Sequence, residues 1–256
     1  MKIFHRYGFF LVLAVCVLLP TQVWAYHAQL DGLLKSYVSP AEQHGINYLA
    51  VDYDSWANDT RHQEVVNLIK ETYPETIDSE NAKKAFWINA YNVLTIDMIV
   101  QTGERETVSN LGDALKSPFS TYKWKIGGKE YTLEQIKSDI LRPMGDPRVL
   151  FAVTSATITS PDLRRESYRP ARLEGQLRDQ VLIAFNNTTK GIQFDGDIVR
   201  VPQFMNEYKM DFKKGDLKTW LQGYYPDDID GDSQIGFFQR NMALNAPPPK
   251  ETAVND

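Results

Sequence analysis

A nearly unbroken apolar segment over residues 84–96 constrains the fold of this chain more than any other part of its sequence. Read as a helix, the segment is apolar on almost every side, which is typical of a helix buried on all faces. The helical pattern extends over about residues 79–101, and Gly103 follows it as a helix-ending residue. The sequence therefore predicts a buried central helix around which the rest of the chain packs.

Two asparagines, Asn89 and Asn92, interrupt this apolar segment. A buried carboxamide is costly unless its donors and its acceptor find hydrogen-bond partners. Two interpretations are open: the amides tie neighbouring loops to the helix, or they line an internal site. In the second case Asn92 binds a ligand, and Asn89 orients a pocket group or helps to stabilise an oxyanion in catalysis, as preorganised amides can.

The N-terminus has the organisation of a secretory signal peptide. Lys2 and Arg6 precede an apolar run over residues 7–19, and the small-x-small sequence that ends at Ala25 is a predicted cleavage site. The apolar run is too short for a stable transmembrane anchor. Residues 1–25 are therefore expected to be removed, which leaves a periplasmic or secreted protein without a transmembrane anchor.

The composition of the expected mature chain narrows its chemistry. The only cysteine, Cys16, lies in the predicted signal peptide, which excludes disulfides, thiolate nucleophiles and Cys-ligated zinc. The net charge of −5 becomes −7 once Lys2 and Arg6 are removed, and such an acidic chain is not expected to bind nucleic acid. Residues 26–245 are predicted to form one domain with a C-terminal helical extension, and residues 246–256 a disordered tail.

The order of helical and strand patterns predicts an α+β fold, with helices around the buried central helix packed on a small antiparallel sheet. Glycine-containing turns at residues 127–128 and 195–196 predict two β-hairpins. Thr132 and Gln135 form a capping box for a helix. The apolar run over residues 149–153 is interpreted as a buried strand. Further helices are predicted over residues 30–38, 56–73, 173–185 and 217–224, and a strand over residues 46–51.

Several short motifs, taken together, indicate a family resemblance. They are Ala85-Phe86-Trp87-Ile88-Asn89-Ala90-Tyr91-Asn92, the segments 126–133, 140–142, 146–148 and 151–152, and Ser160-Pro161-Asp162-Leu163-Arg164-Arg165-Glu166-Ser167-Tyr168. In this order they resemble the signature of the "domain of unknown function 547" family over roughly residues 28–212. The resemblance implies a scaffold related to papain-like and transglutaminase-like folds, in a family whose activity is largely undefined.

The chain departs from that family where the family carries thiol chemistry. The resemblance places Ser160 where a cysteine usually precedes proline, and Leu150 where a histidine is usual. Ser155 stands at the position of a frequent second cysteine, and residues 136–138 replace a commonly acidic and histidine-containing pair. A Cys–His pair would imply a thiol hydrolase or transferase. The resemblance therefore implies a site that has lost this apparatus.

Ser160 itself leaves two interpretations open. As a catalytic nucleophile its hydroxyl would need a base, since its own pKa is far too high. Only His27, His44 and His62 remain after signal cleavage, and none stands at the motif position. In the other interpretation, Ser160 fills the vacated cysteine position and caps a turn.

An arginine cluster stands out in an otherwise acidic chain, at Arg164, Arg165, Arg169 and Arg172. Guanidinium groups suit carboxylate or phosphate ligands. Arg164, Arg165 and Tyr168 are therefore candidates for ligand binding, with Arg164, beside Ser160, as the anchor. The alternative is a solvated face on which the arginines pair with acids such as Glu166.

Three aspartates near the C-terminus, Asp228, Asp230 and Asp232, alternate around Gly231 like the first half of a calcium-binding loop. Gln239 stands where such a loop has its bidentate acid. Calcium ligation by the three aspartates is one interpretation, and an acidic surface turn is the other. No other cofactor is predicted.

These features favour an exported protein whose degenerate site binds a peptide, a cell-envelope component or a protein partner without catalysis. One alternative is a hydrolase or transamidase that acts on peptide or cell-wall amide bonds through Ser160. Another is a calcium-stabilised structural module. The functional inference depends on analogy at the level of the fold.

Overall fold

The computed structural model of the protein describes residues 19–112 and 116–249. Residues 1–18 of the predicted signal peptide and residues 250–256 of the predicted tail lie outside this part of the chain. The α-helices of the described residues are α1 (Leu19–Tyr37), α2 (Tyr53–Ala57), α3 (Thr60–Glu71), α4 (Glu80–Thr102), α5 (Pro118–Thr121), α6 (Leu133–Gln135), α7 (Val149–Ala152), α8 (Leu173–Asn186), α9 (Gln203–Glu207) and α10 (Leu217–Gln222).

The central helix α4 begins and ends within one residue of the predicted bounds. The Ser79 side chain caps its N-terminus by accepting a hydrogen bond from the N–H of Ala82 at 3.2 Å. Gly103 ends the helix with a φ of 69°, a left-handed conformation that suits glycine, and its N–H donates to the Ile99 carbonyl at 3.1 Å. Nearly every side chain from Ala85 to Ile99 is buried. The predicted buried central helix is confirmed.

The strands form three small sheets. They are β1 (Val38–Gln43), β2 (Ile46–Val51), β3 (Lys123–Ile126), β4 (Lys129–Thr132), β5 (Gln193–Asp195), β6 (Ile198–Val201) and β7 (Gln234–Phe237). β1–β2 and β3–β4 are separate antiparallel hairpins, whereas the third sheet has the order β5-β6-β7 with a parallel β6–β7 pair.

The α+β class and both hairpins predicted from glycine turns are confirmed, but the single antiparallel sheet is wrong. The parallel pair arises because the chain between β6 and β7 crosses over through α9 and α10 before it returns beside β6. A crossover of this kind leaves no turn signal in the sequence, so the strand pattern did not reveal it.

The predicted strand over residues 149–153 is also wrong, because Val149–Ala152 is the short helix α7. The N–H groups of Val149, Leu150 and Phe151 donate to carbonyls three residues earlier, at 3.1–3.2 Å. The turn starts at Asp146, whose carboxylate accepts the N–H of Arg148 at 3.1 Å. Periodicity alone cannot separate a short buried strand from a short buried helix.

Helices α2 and α3 pack against α4 as two pieces rather than the one helix predicted over residues 56–73. Asp59 separates them, because its side chain caps α3 by accepting the N–H of Arg61 at 2.9 Å. Trp56 and Ile69 are fully buried on this side of the core.

The core continues into the C-terminal elements through an aromatic cluster. The rings of Phe151 in α7 and Trp220 in α10 are stacked, with centroids 5.7 Å apart, and Phe185 and Phe212 pack around them. The loop after α7 is therefore held between the central helix and the C-terminal helices. Among the described residues, no helix is both long and apolar enough to cross a membrane.

Candidate functional site

A cavity of about 460 Å³ brings together Lys137, Ser155 and Ser160, positions for which the family resemblance implies other residues. The helix that follows α6 contributes Lys137, and the loop after α7 contributes Ser155 and Ser160. Phe204 in α9 and Tyr208 just after it also line the cavity, and the Tyr208 ring centroid lies 5.2 Å from Lys137 Nζ. The volume lies in the range of small-molecule binding sites. Positions that are separate in the sequence thus share one cavity.

Lys137 reaches the cavity from an irregular helix. The predicted capping box is confirmed, because Thr132 Oγ1 accepts the N–H of Gln135 at 3.1 Å and Gln135 Oε1 accepts the N–H of Thr132 at 2.9 Å. α6 then continues as the π-helical turn Ile136–Leu141. Such turns are often found at functional sites, because they alter the direction in which side chains leave the helix.

The ammonium group of Lys137 is almost buried but remains charged. Its side chain is 12% exposed, and its Nζ lies 3.1 Å from Glu134 Oε2. Burial lowers the pKa of Lys137, but the oxygens of Tyr91, Tyr208 and Glu134 outweigh this effect and hold the pKa above its ordinary value. A protonated amine cannot accept a proton, so Lys137 is unsuited to act as a general base.

The hydroxyl group of Ser160 is used inside its own loop. Ser160 Oγ donates to the Thr157 carbonyl at 2.7 Å and accepts the N–H of Thr157 at 3.2 Å. The Thr154 hydroxyl lies 3.1 Å away and completes the set of partners. Ser160 is 9% exposed. This bonding pattern closes a turn, and the catalytic assignment of Ser160 stays a prediction.

Both asparagines of α4 hold loops of the chain through paired backbone contacts. Asn92 Nδ2 donates to the Ala152 carbonyl at 2.8 Å, and its Oδ1 accepts the N–H of Thr154 at 2.9 Å. Asn89 makes the same pair of bonds to the carbonyl and N–H of Tyr168, at 2.8 and 2.9 Å. Asn92 therefore fixes the start of the loop that carries Ser155. The roles in catalysis and ligand binding assigned to the two amides stay predictions.

Lys190 holds the Ser160 loop through hydrogen bonds from its ammonium group, a role that the sequence did not indicate. Its Nζ donates to the carbonyls of Ile158 and Ser160 at 3.1 and 3.0 Å and to Asp162 Oδ1 at 2.7 Å. Burial lowers the pKa of Lys190, against the attraction of the Asp162 carboxylate. Three acceptors nevertheless need three N–H groups, which only the ammonium form has. All three N–H groups of the Lys190 ammonium are thus used in hydrogen bonds to the loop.

Within the described residues, no histidine lines the cavity. His62 is 5% exposed in the core, His27 Nδ1 lies 2.8 Å from Ser167 Oγ, and His44 lies between β1 and β2. Leu150, where the resemblance places a histidine, is 3% exposed in α7 and is not part of the cavity wall. Of the three histidines that the structure describes, none is therefore placed to activate Ser160.

Three arginines of the cluster, Arg164, Arg169 and Arg172, pair with acidic side chains. Arg164 lies 2.8 Å from Glu166 and 2.6 Å from Asp179, and Arg165 donates to the Lys35 carbonyl at 2.9 Å. Burial raises the pKa of Glu166, but hydrogen bonds from Arg164, Gln176 and Arg172 outweigh it and lower the pKa to about 2.

Four of the predicted site residues meet in a second, much smaller space. Asn89, Asn92, Arg164 and Tyr168 line a pocket with room of only about 10 Å³, which is about enough for one water molecule. Arg165 does not line it. The structure thus brings these residues together away from the 460 Å³ cavity, and their assignment to ligand binding stays a prediction.

The three predicted calcium ligands lie in a turn organised by Asp230. Asp230 Oδ1 accepts the N–H groups of Asp232 and Ser233, both at 2.9 Å, and the Ser233 hydroxyl at 3.1 Å. In the described part of the chain, no three His, Cys, Asp or Glu side chains are grouped so as to hold a metal ion. Ligation by Asp228, Asp230 and Asp232 stays a prediction.

Residues 75–182 match the model of a family described as "Protein of unknown function, DUF547". The match covers less than half of the chain, but it includes α4 and the cavity residues Lys137, Ser155 and Ser160. Lys190 and α9 lie beyond it. A comparison with curated proteins gave no match, and a comparison with solved structures gave none either. The match supports the resemblance that the motifs indicate, and its description assigns no activity.

Proposed function

We propose that the protein is exported and uses the 460 Å³ cavity to bind a peptide, a cell-envelope component or a protein partner without catalysing a reaction on it. One observation carries this proposal: the Ser160 hydroxyl already donates its proton in a hydrogen bond to the Thr157 carbonyl. A nucleophilic hydroxyl instead points its proton at a base, which removes it as the new bond forms.

The surrounding groups support a binding role. Lys137 is held protonated beside Glu134, and Lys190 gives its three N–H groups to the loop. The family model covers Lys137, Ser155 and Ser160. The family resemblance implies cysteines at the two serine positions and an acidic and histidine-containing pair within residues 136–138. We propose that these three positions are the remains of a catalytic site on a scaffold related to papain-like and transglutaminase-like folds.

The alternative function is a serine-dependent hydrolase or transamidase acting on peptide or cell-wall amides. It is favoured by the presence of two serines, Ser155 and Ser160, on one cavity wall. It needs a base, and the described lysines on that wall are engaged with acidic or carbonyl partners or are otherwise bonded. A reagent that reacts only with an activated serine hydroxyl distinguishes the two functions, because it should label the hydrolase or transamidase but not the binding protein.

We expect that a fluorophosphonate probe does not label the purified protein, because no histidine of the described residues lines the cavity and the Ser160 hydroxyl donates to the Thr157 carbonyl. The measurement is the intact mass after incubation, with a serine hydrolase in the same tube as the positive control. Ser155→Ala and Ser160→Ala serve as variants. Labelling of the native protein that disappears in either variant, while the melting temperature is kept, would establish the enzyme function instead.

Export is tested through the mass of the accumulated protein. When the full chain is produced in a Gram-negative host, we expect the osmotic-shock fraction to contain a protein that begins at Tyr26. Ala25→Arg should block this cleavage, because signal peptidases need a small residue there. A chain that retains residues 1–25 and stays in the cytoplasm would contradict the proposed export.

A further inference from the structure

We infer that the cavity recognises the carboxylate end of a short peptide, which accepts hydrogen bonds from the Lys137 ammonium and the Ser155 hydroxyl. The inference rests on the proposed function and narrows its ligand class. Three features of the cavity lead to it: a cation with a spare donor, a buried hydroxyl without a partner, and a wall suited to amide groups.

The cation is Lys137. One of its N–H groups faces Glu134 Oε2 at 3.1 Å and another faces the Tyr208 hydroxyl. Among the described residues, the third forms no hydrogen bond, and the Tyr91 oxygen is near it without accepting one. Glu134 is 40% exposed, and its other carboxylate oxygen accepts the Ser138 hydroxyl, so it shares its charge between two donors. An almost buried ammonium with a free donor on a cavity wall is suited to bind an oxyanion.

The hydroxyl without a partner belongs to Tyr91. Tyr91 has no exposed surface, and its hydroxyl forms no hydrogen bond of good geometry with the described residues. Burial raises the pKa of Tyr91, and the nearby Lys137 ammonium and a weak hydrogen bond with the Ser155 hydroxyl oppose this effect. Both Ser155 and Lys137 line the cavity. An unpaired buried hydroxyl is destabilising. If Ser155 donates to a bound carboxylate, a small rotation lets its oxygen accept the Tyr91 proton, so a ligand completes both bonds.

The remaining wall suits a peptide better than a simple anion. Hydroxyl groups can pair with both the N–H and the carbonyl of an amide, and aromatic rings pack on apolar side chains. The wall has four cationic and two carboxylate side chains, although the whole chain has a net charge of −5. The hydroxyl and aromatic groups include Ser109, Thr157, Thr159, Phe119, Phe204 and Phe238.

The test is a calorimetric titration of the purified exported chain with N-acetyl-dialanine, as the free acid and as the C-terminal amide. We expect the acid to bind at least about tenfold more tightly, because only the acid carries the charge that Lys137 recognises. The acid is titrated in its all-L and its all-D form. Tighter binding of the all-L form indicates a peptide derived from a protein, and tighter binding of the all-D form indicates a cell-wall peptide. Lys137→Met should reduce the affinity for the acid to that for the amide.

Two variants separate recognition from folding. Glu134→Gln removes the negative charge beside Lys137 but keeps the cation, so the acid should bind as well as before or better; weaker binding would contradict the role of Lys137. Tyr91→Phe should weaken binding of the acid severalfold without lowering the melting temperature, because without a ligand the lost hydroxyl forms no hydrogen bond of good geometry.

Equal binding of acid and amide would overturn the carboxylate inference and leave the proposed binding function intact. Binding of neither, with Kd above about 10 mM, would also overturn it. In that case, turnover or fluorophosphonate labelling at Ser155 or Ser160 would show whether the proposed function fails as well.

Discussion

Replacing Lys190 with methionine is expected to lower the free energy of unfolding by about 3–5 kcal/mol, the usual cost of removing one partner of a buried ion pair. The Lys190 side chain is 6% exposed and that of Asp162 is 12% exposed, with 2.7 Å between Nζ and Oδ1. Methionine fills similar space but removes the donor to the Ile158 and Ser160 carbonyls and leaves the carboxylate with the Leu49 N–H and no opposite charge. Urea denaturation measures the loss.

A surface ion pair provides the matched control. Lys123 and Glu130 lie 3.3 Å apart with side chains 57% and 66% exposed, so Lys123→Met should cost less than about 1 kcal/mol. Adding Asp162→Asn to Lys190→Met should recover part of the stability, since no unpaired charge then remains buried. If Lys190→Met costs no more than Lys123→Met, the support assigned to Lys190 is wrong.

The parts of the fold that were predictable are those whose signals are local. Ser79 and Gly103 mark the ends of α4 because a cap acts within one helical turn. Glycine-containing turns fixed the two hairpins in the same way. The short apolar run that became α7 has no such signal, because its conformation depends on the turn at Asp146 and on burial against Trp220.

The candidate site was predictable only in part. Ser155, Ser160 and the segment around Lys137 stood out because the family resemblance supplied an expected residue for each. Lys190 had no such reference, and its contact with Asp162 joins residues 28 positions apart through a packed loop. A lysine in a sequence is most often at the surface. The role of Lys190 becomes visible only in the folded chain, which places the Ile158 and Ser160 carbonyls and the Asp162 carboxylate around its ammonium group.

A second buried network depends on the carboxylate of Asp97 in α4. Asp97 is 2% exposed and accepts bonds from His62 Nε2 at 3.0 Å, Trp124 Nε1 at 2.7 Å and Gln101 Nε2 at 2.6 Å. The Trp56 indole donates to His62 Nδ1 at 3.0 Å, so the imidazole proton is assigned to Nε2 and His62 is neutral. Asp97 alone therefore serves three donors.

Asp97→Asn is expected to lower the free energy of unfolding by about 2–4 kcal/mol, because the new amide turns N–H groups toward donors that lose their acceptor. Asp54→Asn is the control: Asp54 is 77% exposed in its pair with Arg105, so the change should cost less than about 1 kcal/mol. Trp124→Phe removes one donor and should reduce the cost of Asp97→Asn in a double-mutant cycle. Equal costs at Asp97 and Asp54, or no coupling to Trp124, would show that the network does not stabilise the core.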